Sequence, residues 1–146
     1  MDLRLIAPEL TVLLGAILLL LLDLIVRNKK IIAGLGLLVL LLALLQAGSL
    51  FGTRASLFSS MIVVDPFAVF FKALALLVCA LTILVSLNYR ALPRRSEGEY
   101  YAILLFACLG LMLLAAASNL VSVYVALELT SLACYVLAGF LKDQPR

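Results

Sequence analysis

Apolar residues run almost unbroken along this chain, and polar residues gather in short breaks between the runs. Five stretches stand out: Leu10 to Val26, Ile31 to Phe51, Phe67 to Leu87, Tyr100 to Ala117 and Leu120 to Leu141. About 20 apolar residues of helix are needed to cross a hydrocarbon core about 30 Å thick, so each run is long enough to span a membrane. Barrel strands would alternate polar and apolar residues over roughly 10 positions, and these runs do not alternate. The pattern therefore predicts an all-α fold, a polytopic transmembrane bundle of five helices.

Composition agrees with that pattern. The 146 residues are 66% hydrophobic and 13% charged, with a mean hydropathy of +1.28, far from the make-up of a soluble domain. Met1 to Glu9 lacks a basic leader and no small-residue cleavage site follows the first run, so that run is expected to stay in the protein. Pro8 and Glu9 suit the opening turn of the first helix, where a missing N–H costs nothing and a carboxylate meets the positive end of the helix dipole. The leucine-rich blocks are simple because a lipid-facing helix selects only for hydrophobicity.

Charge sets the expected orientation, because loops on the cytoplasmic side keep an excess of Lys and Arg. Arg27, Lys29 and Lys30, then Arg90, Arg94 and Arg95, then Lys142 and Arg146 make eight on one side; Arg4 and Arg54 make two on the other. The amino end is thus expected outside and the carboxyl end inside. This topology absorbs the net charge of +3, which calls for no nucleic-acid partner. Cys79, Cys108 and Cys134 stand singly and read as small packing residues rather than metal ligands or a disulfide. With no histidine and no glycine-rich phosphate loop, no cofactor or metal site is expected.

Functional information then concentrates in the polar exceptions. Asp23, one turn before Arg27, reads as half of an interfacial ion pair. Gln46 and Ser49 read as ordinary interhelical hydrogen-bonding residues. Lys72 comes six residues after Pro66, about 9 Å along a helix. Its stem can reach the interface, so anchoring there is the better reading and a buried charge network the other. Asp65 and Pro66 read as a helix cap and first turn.

Glu128 lies eight residues past Leu120 and thirteen before Leu141, roughly 12 Å in from one edge of the hydrocarbon core. Its stem is too short to reach water, and an ionisable group there costs about 2.5 kcal/mol or more, so it is expected to face the bundle interior or a wet cavity and to have a partner. Tyr124, Ser131 and Tyr135 fall on the same side of the helix and form a narrow polar stripe with it. A carboxyl shielded from water holds its proton tightly, and one beside a cation releases it. A movable basic partner would let this acid take up and give up a proton, whereas simple interhelical glue could be made more cheaply from Ser, Thr or Asn.

The stretches "IAPELTVLLGAILLLLLDLI", "MIVVDPFAVFFKALALL" and "EYYAILLFACLGLMLLAAASNLVSVYVALELTSLACYVLAGF" together resemble the amino-terminal part of the N subunits of bacterial NADH-quinone oxidoreductase, respiratory complex I. The resemblance covers the whole chain and is most specific around Glu128, onto which it carries the family's essential membrane glutamate. It implies an antiporter-like subunit, with residues 1–99 as three leading helices and 100–146 as the first two helices of an antiporter-like repeat, cut short. The family continues into a broken helix and lysine partners beyond the end of this sequence, so a fragment or a split subunit is expected. It further implies proton translocation in the inner membrane of a bacterium, as a subunit of a translocase. NADH, flavin, iron–sulfur clusters and quinone would be held by other subunits, and the partners would be other membrane subunits and the lipid bilayer. Two other readings stay open: a subunit of a cation/proton antiporter or membrane-bound hydrogenase, and a non-transporting membrane scaffold.

Overall fold

The structure, a computed structural model, describes residues 3–26, 28–87 and 97–140. A short 3-10 turn, Leu3–Ile6, leads into α1 (Ala7–Ile25); α2 (Lys29–Ser49), α3 (Pro66–Ser86), α4 (Glu97–Ala116) and α5 (Leu120–Gly139) follow. All five helices are long and apolar enough to cross a membrane. Each agrees with its predicted run to within three residues at either end, because the polar breaks that end the runs also supply the caps. Asp65 Oδ1 accepts from the Ala68 amide at 2.7 Å, with Pro66 opening α3. Asn119 and Ser122 form a reciprocal capping box at the start of α5.

The first four helices form a square. α1 packs on α2 and α4, and α3 packs on the same two, so α1 and α3 oppose each other across a diagonal. Their inward stripes follow helical spacing: Glu9, Val12, Ala16 and Leu19 on α1, and Lys72, Leu76, Cys79 and Ile83 on α3. Each stripe carries one charge within the first two turns of its helix. α4 sits at the centre of the molecule and also carries α5, whose helix neighbour is α4 alone among the closely packed pairs. Gly110 makes that contact close: a Cβ there would press on the Thr130 backbone, lying 2.9 Å from its nitrogen. Small residues, Ala126 and Ala133, line the same face of α5, as helix packing in lipid favours.

One element was not foreseen. The connection between α2 and α3 folds into a two-stranded antiparallel hairpin, β1 (Ala55–Leu57) with β2 (Ile62–Val64). Its turn places Phe58, Ser59 and Ser60 at φ of 52°, 54° and 67°, a left-handed run with no glycine to announce it. The hairpin leans on the α4–α5 turn, where Ile62 bridges Ala117, the Ser118 amide donates to the Met61 carbonyl at 3.1 Å, and the Ser118 hydroxyl donates to the Ser60 carbonyl. The start of the helix that bears Glu128 is thus held by backbone contacts.

Candidate proton-transfer residues

α5 has two faces. Ala126, Thr130 and Ala133 turn toward α4, and the opposite face carries Tyr124 (66% exposed), Glu128 and Tyr135 (71% exposed), with Ser131 half-buried beside them. The residues of the predicted stripe do share one side of the helix. That side, however, points out of the five-helix bundle. The expectation that Glu128 faces the interior does not hold within this chain, because the close packing at Gly110 and Thr130 turns the small-residue face inward and the acid is nearly opposite it. Among the described residues no hydrogen bond or ion pair reaches Glu128.

Lys72 is where the structure departs most from the expected reading. It is fully buried, and its Nζ lies 2.5 Å from Glu9 Oε1. Side chains of a helix lean toward its amino end, so the lysine does extend toward the end of the bundle, as a snorkelling residue would. It ends on a carboxylate rather than in water, which corrects the anchoring reading and leaves the alternative, a buried charge with a charged partner. Glu9 in turn does more than meet the dipole of its own helix. Neither helix announces the pair by itself, because each residue has a local role on its own helix. The signal was the stripe: Glu9 stands three residues before Val12 and Lys72 four before Leu76, on the faces that pack. Lys72 and Glu128 are not brought together; α4 stands between α3 and α5.

The remaining polar residues behave simply. Thr11 Oγ1 donates to Gln46 Oε1 at 2.7 Å across α1 and α2, as expected of interhelical glue, whereas the Ser49 hydroxyl donates within its own helix to the Gln46 carbonyl rather than between helices. Asp23 is half-buried against Gly98 at the start of α4. Its proposed partner Arg27 lies outside the described residues, as do Arg90, Arg94, Arg95, Lys142 and Arg146, which carry much of the orientation argument. Cys79 and Cys108 are buried and Cys134 exposed, all as free thiols. Among the described residues no cluster of possible metal ligands occurs.

No protein-family model matches the chain. Its sequence is similar over nearly its whole length to curated proteins named NADH-quinone oxidoreductase subunit N. Identity is 39% over 144 residues to the protein of Trichlorobacter lovleyi, covering 97% of this chain and 30% of that protein. It is 40% over 139 residues to that of Dehalococcoides mccartyi, covering 94% and 29%, and 38% over 141 residues to a subunit N 2 of Rhizobium meliloti, covering 95% and 29%. The chain thus spans about 30% of the length of these relatives, a share that fits an amino-terminal portion.

Proposed function

We propose that this chain forms part of a proton-translocating membrane subunit of an NADH-quinone oxidoreductase, and that Glu128 is a proton-carrying group in it. The observation that carries the reading is the place of that carboxyl: near the middle of an apolar helix, on a face with Tyr124, Ser131 and Tyr135, in a chain similar to subunit N proteins more than three times its length. A carboxyl exposed to acyl chains at that depth would be costly. The face is accounted for if further helices of the same assembly cover it and bring a basic partner.

In that assembly the hydroxyls of Tyr124, Ser131 and Tyr135 would bond the carboxyl or hold water beside it, and approach or withdrawal of the cation would set whether it keeps its proton. Quinone reduction elsewhere would drive that movement by shifting charge along the membrane arm. NADH, flavin, iron–sulfur clusters and quinone belong in this reading to other subunits. The setting is the inner membrane of a bacterium, with the amino end outside and the carboxyl end inside. Other membrane subunits and lipid are the partners.

The test is Glu128→Gln in the intact complex, reconstituted in sealed vesicles, with proton uptake and NADH oxidation measured together. The proton-to-electron ratio should fall while the complex still assembles. An unchanged ratio and turnover would remove Glu128 from the path and favour a scaffold.

A further inference from the structure

Glu9 and Lys72 meet across the diagonal of the four-helix square, near the end where α1 and α3 begin. Their side chains are 6% and 0% exposed. An ammonium has three donors and a carboxylate about four acceptor sites. Beyond the one ionic contact, Glu9 Oε2 and Lys72 Nζ are buried without a hydrogen-bond partner in the structure. Buried polar atoms are nearly always satisfied by protein or by ordered water, and charged ones have the most to lose when they are not.

The surroundings isolate the pair. One turn nearer the end of the bundle, Leu5, Leu50, Val64 and Val69 pack into a small apolar cluster drawn from the 3-10 turn, the C-cap of α2, β2 and α3. Toward the middle the stripes turn apolar at Val12 and Leu76. Among the described residues of the packed elements, α2 carries its lysines and α4 carries Glu97 and Glu99 at the opposite end. Asp65 is engaged in capping α3, Arg4 and Arg54 are exposed, and Gln46 of α2 is held by Thr11. Among the described residues, then, neither member makes another ion pair, and the apolar cluster lies one turn nearer the end of the bundle.

We propose that Glu9 and Lys72 form a second proton-exchanging site, a water-holding carboxylate and ammonium couple closed from the nearer surface by the Leu5, Leu50, Val64 and Val69 cluster. This rests on the reading of the whole assembly as a proton translocator. The bookkeeping is simple: an arriving proton adds to the Glu9 carboxylate, giving a carboxylic acid beside the Lys72 ammonium, and its departure restores the ion pair. Ordered water on Oε2 and Nζ supplies the connection. A purely structural clasp would not need the charges, since replacing a buried ion pair with well-packed apolar residues of similar volume is often neutral or stabilising.

The test is the double variant Glu9→Met with Lys72→Met in the intact, vesicle-reconstituted complex. It removes both charges together, so neither is left buried alone, and the complex should assemble and oxidise NADH with part of its proton-to-electron ratio lost. An assembled complex with an unchanged ratio overturns the inference. A variant that fails to assemble hands the decision to the unsubstituted complex, in a density map fine enough to show ordered water. Water on Glu9 Oε2 and Lys72 Nζ supports the site, and a dry enclosure overturns it. Glu128→Gln run alongside separates the two claims. A reduced ratio there with an unchanged one in the double variant sinks only this inference, whereas an unchanged ratio for Glu128→Gln sinks the reading beneath it.

Discussion

The contact between α4 and α5 rests on one missing side chain, and restoring a methyl there should show how tightly the helix bearing Glu128 is positioned. A Cβ at position 110 would lie 2.9 Å from the Thr130 nitrogen and 3.1 Å from its Cα, with the Thr130 hydroxyl closer still. Unstrained carbon contacts sit at about 3.5–4.0 Å, so α5 must withdraw by roughly half an ångström or more. Overpacking of this kind costs about 1–3 kcal/mol, and the better helix propensity of alanine returns up to about 1 kcal/mol. Gly110→Ala should therefore destabilise the protein by up to about 2 kcal/mol. Gly34, in α2, offers the control, because a Cβ there would meet nothing within 4 Å. Gly34→Ala should be neutral or stabilising by up to about 1 kcal/mol. Reversible denaturation of the micelle-embedded chain, followed by circular dichroism, gives both values, and amide hydrogen exchange along α5 localises the loss. Equal stability of the two variants, or a gain at position 110, would refute the packing argument.

Two further outcomes follow from local geometry. Lys72→Met alone leaves the Glu9 carboxylate buried and unpaired and should cost about 3–5 kcal/mol, most of it recovered when Glu9→Met is added; the same denaturation assay reads both. Asn119→Ala removes the capping box of α5 and should cost about 1 kcal/mol, with faster hydrogen exchange confined to the first turn after Leu120; uniform change along the helix would argue against a capping role.

The five helices were legible because hydrophobic length is a one-dimensional signal, and lipid leaves helices as the solution when strands cannot close. The hairpin was not: its strands are three residues each, and its turn uses Phe58, Ser59 and Ser60 where glycine or asparagine would have marked it. The polar stripe on α5 was legible as a face, since Tyr124, Glu128, Ser131 and Tyr135 obey helical spacing. Which way that face points depends on Gly110 and Thr130, two helices' worth of packing that no single stretch encodes. The Glu9–Lys72 pair failed to emerge for a related reason. Its members are 63 positions apart, and each has an innocent local explanation, so only the shared inward stripe could have joined them.

The central claim is that the Glu128 carboxyl changes its protonation as the assembled complex works, and infrared difference spectroscopy of the intact complex, resting against turning over, observes that event at the group itself. The account predicts a protonated-carboxyl band that changes with turnover, shifts in heavy water and disappears in Glu128→Gln. A carboxyl region that Glu128→Gln leaves unchanged would contradict it.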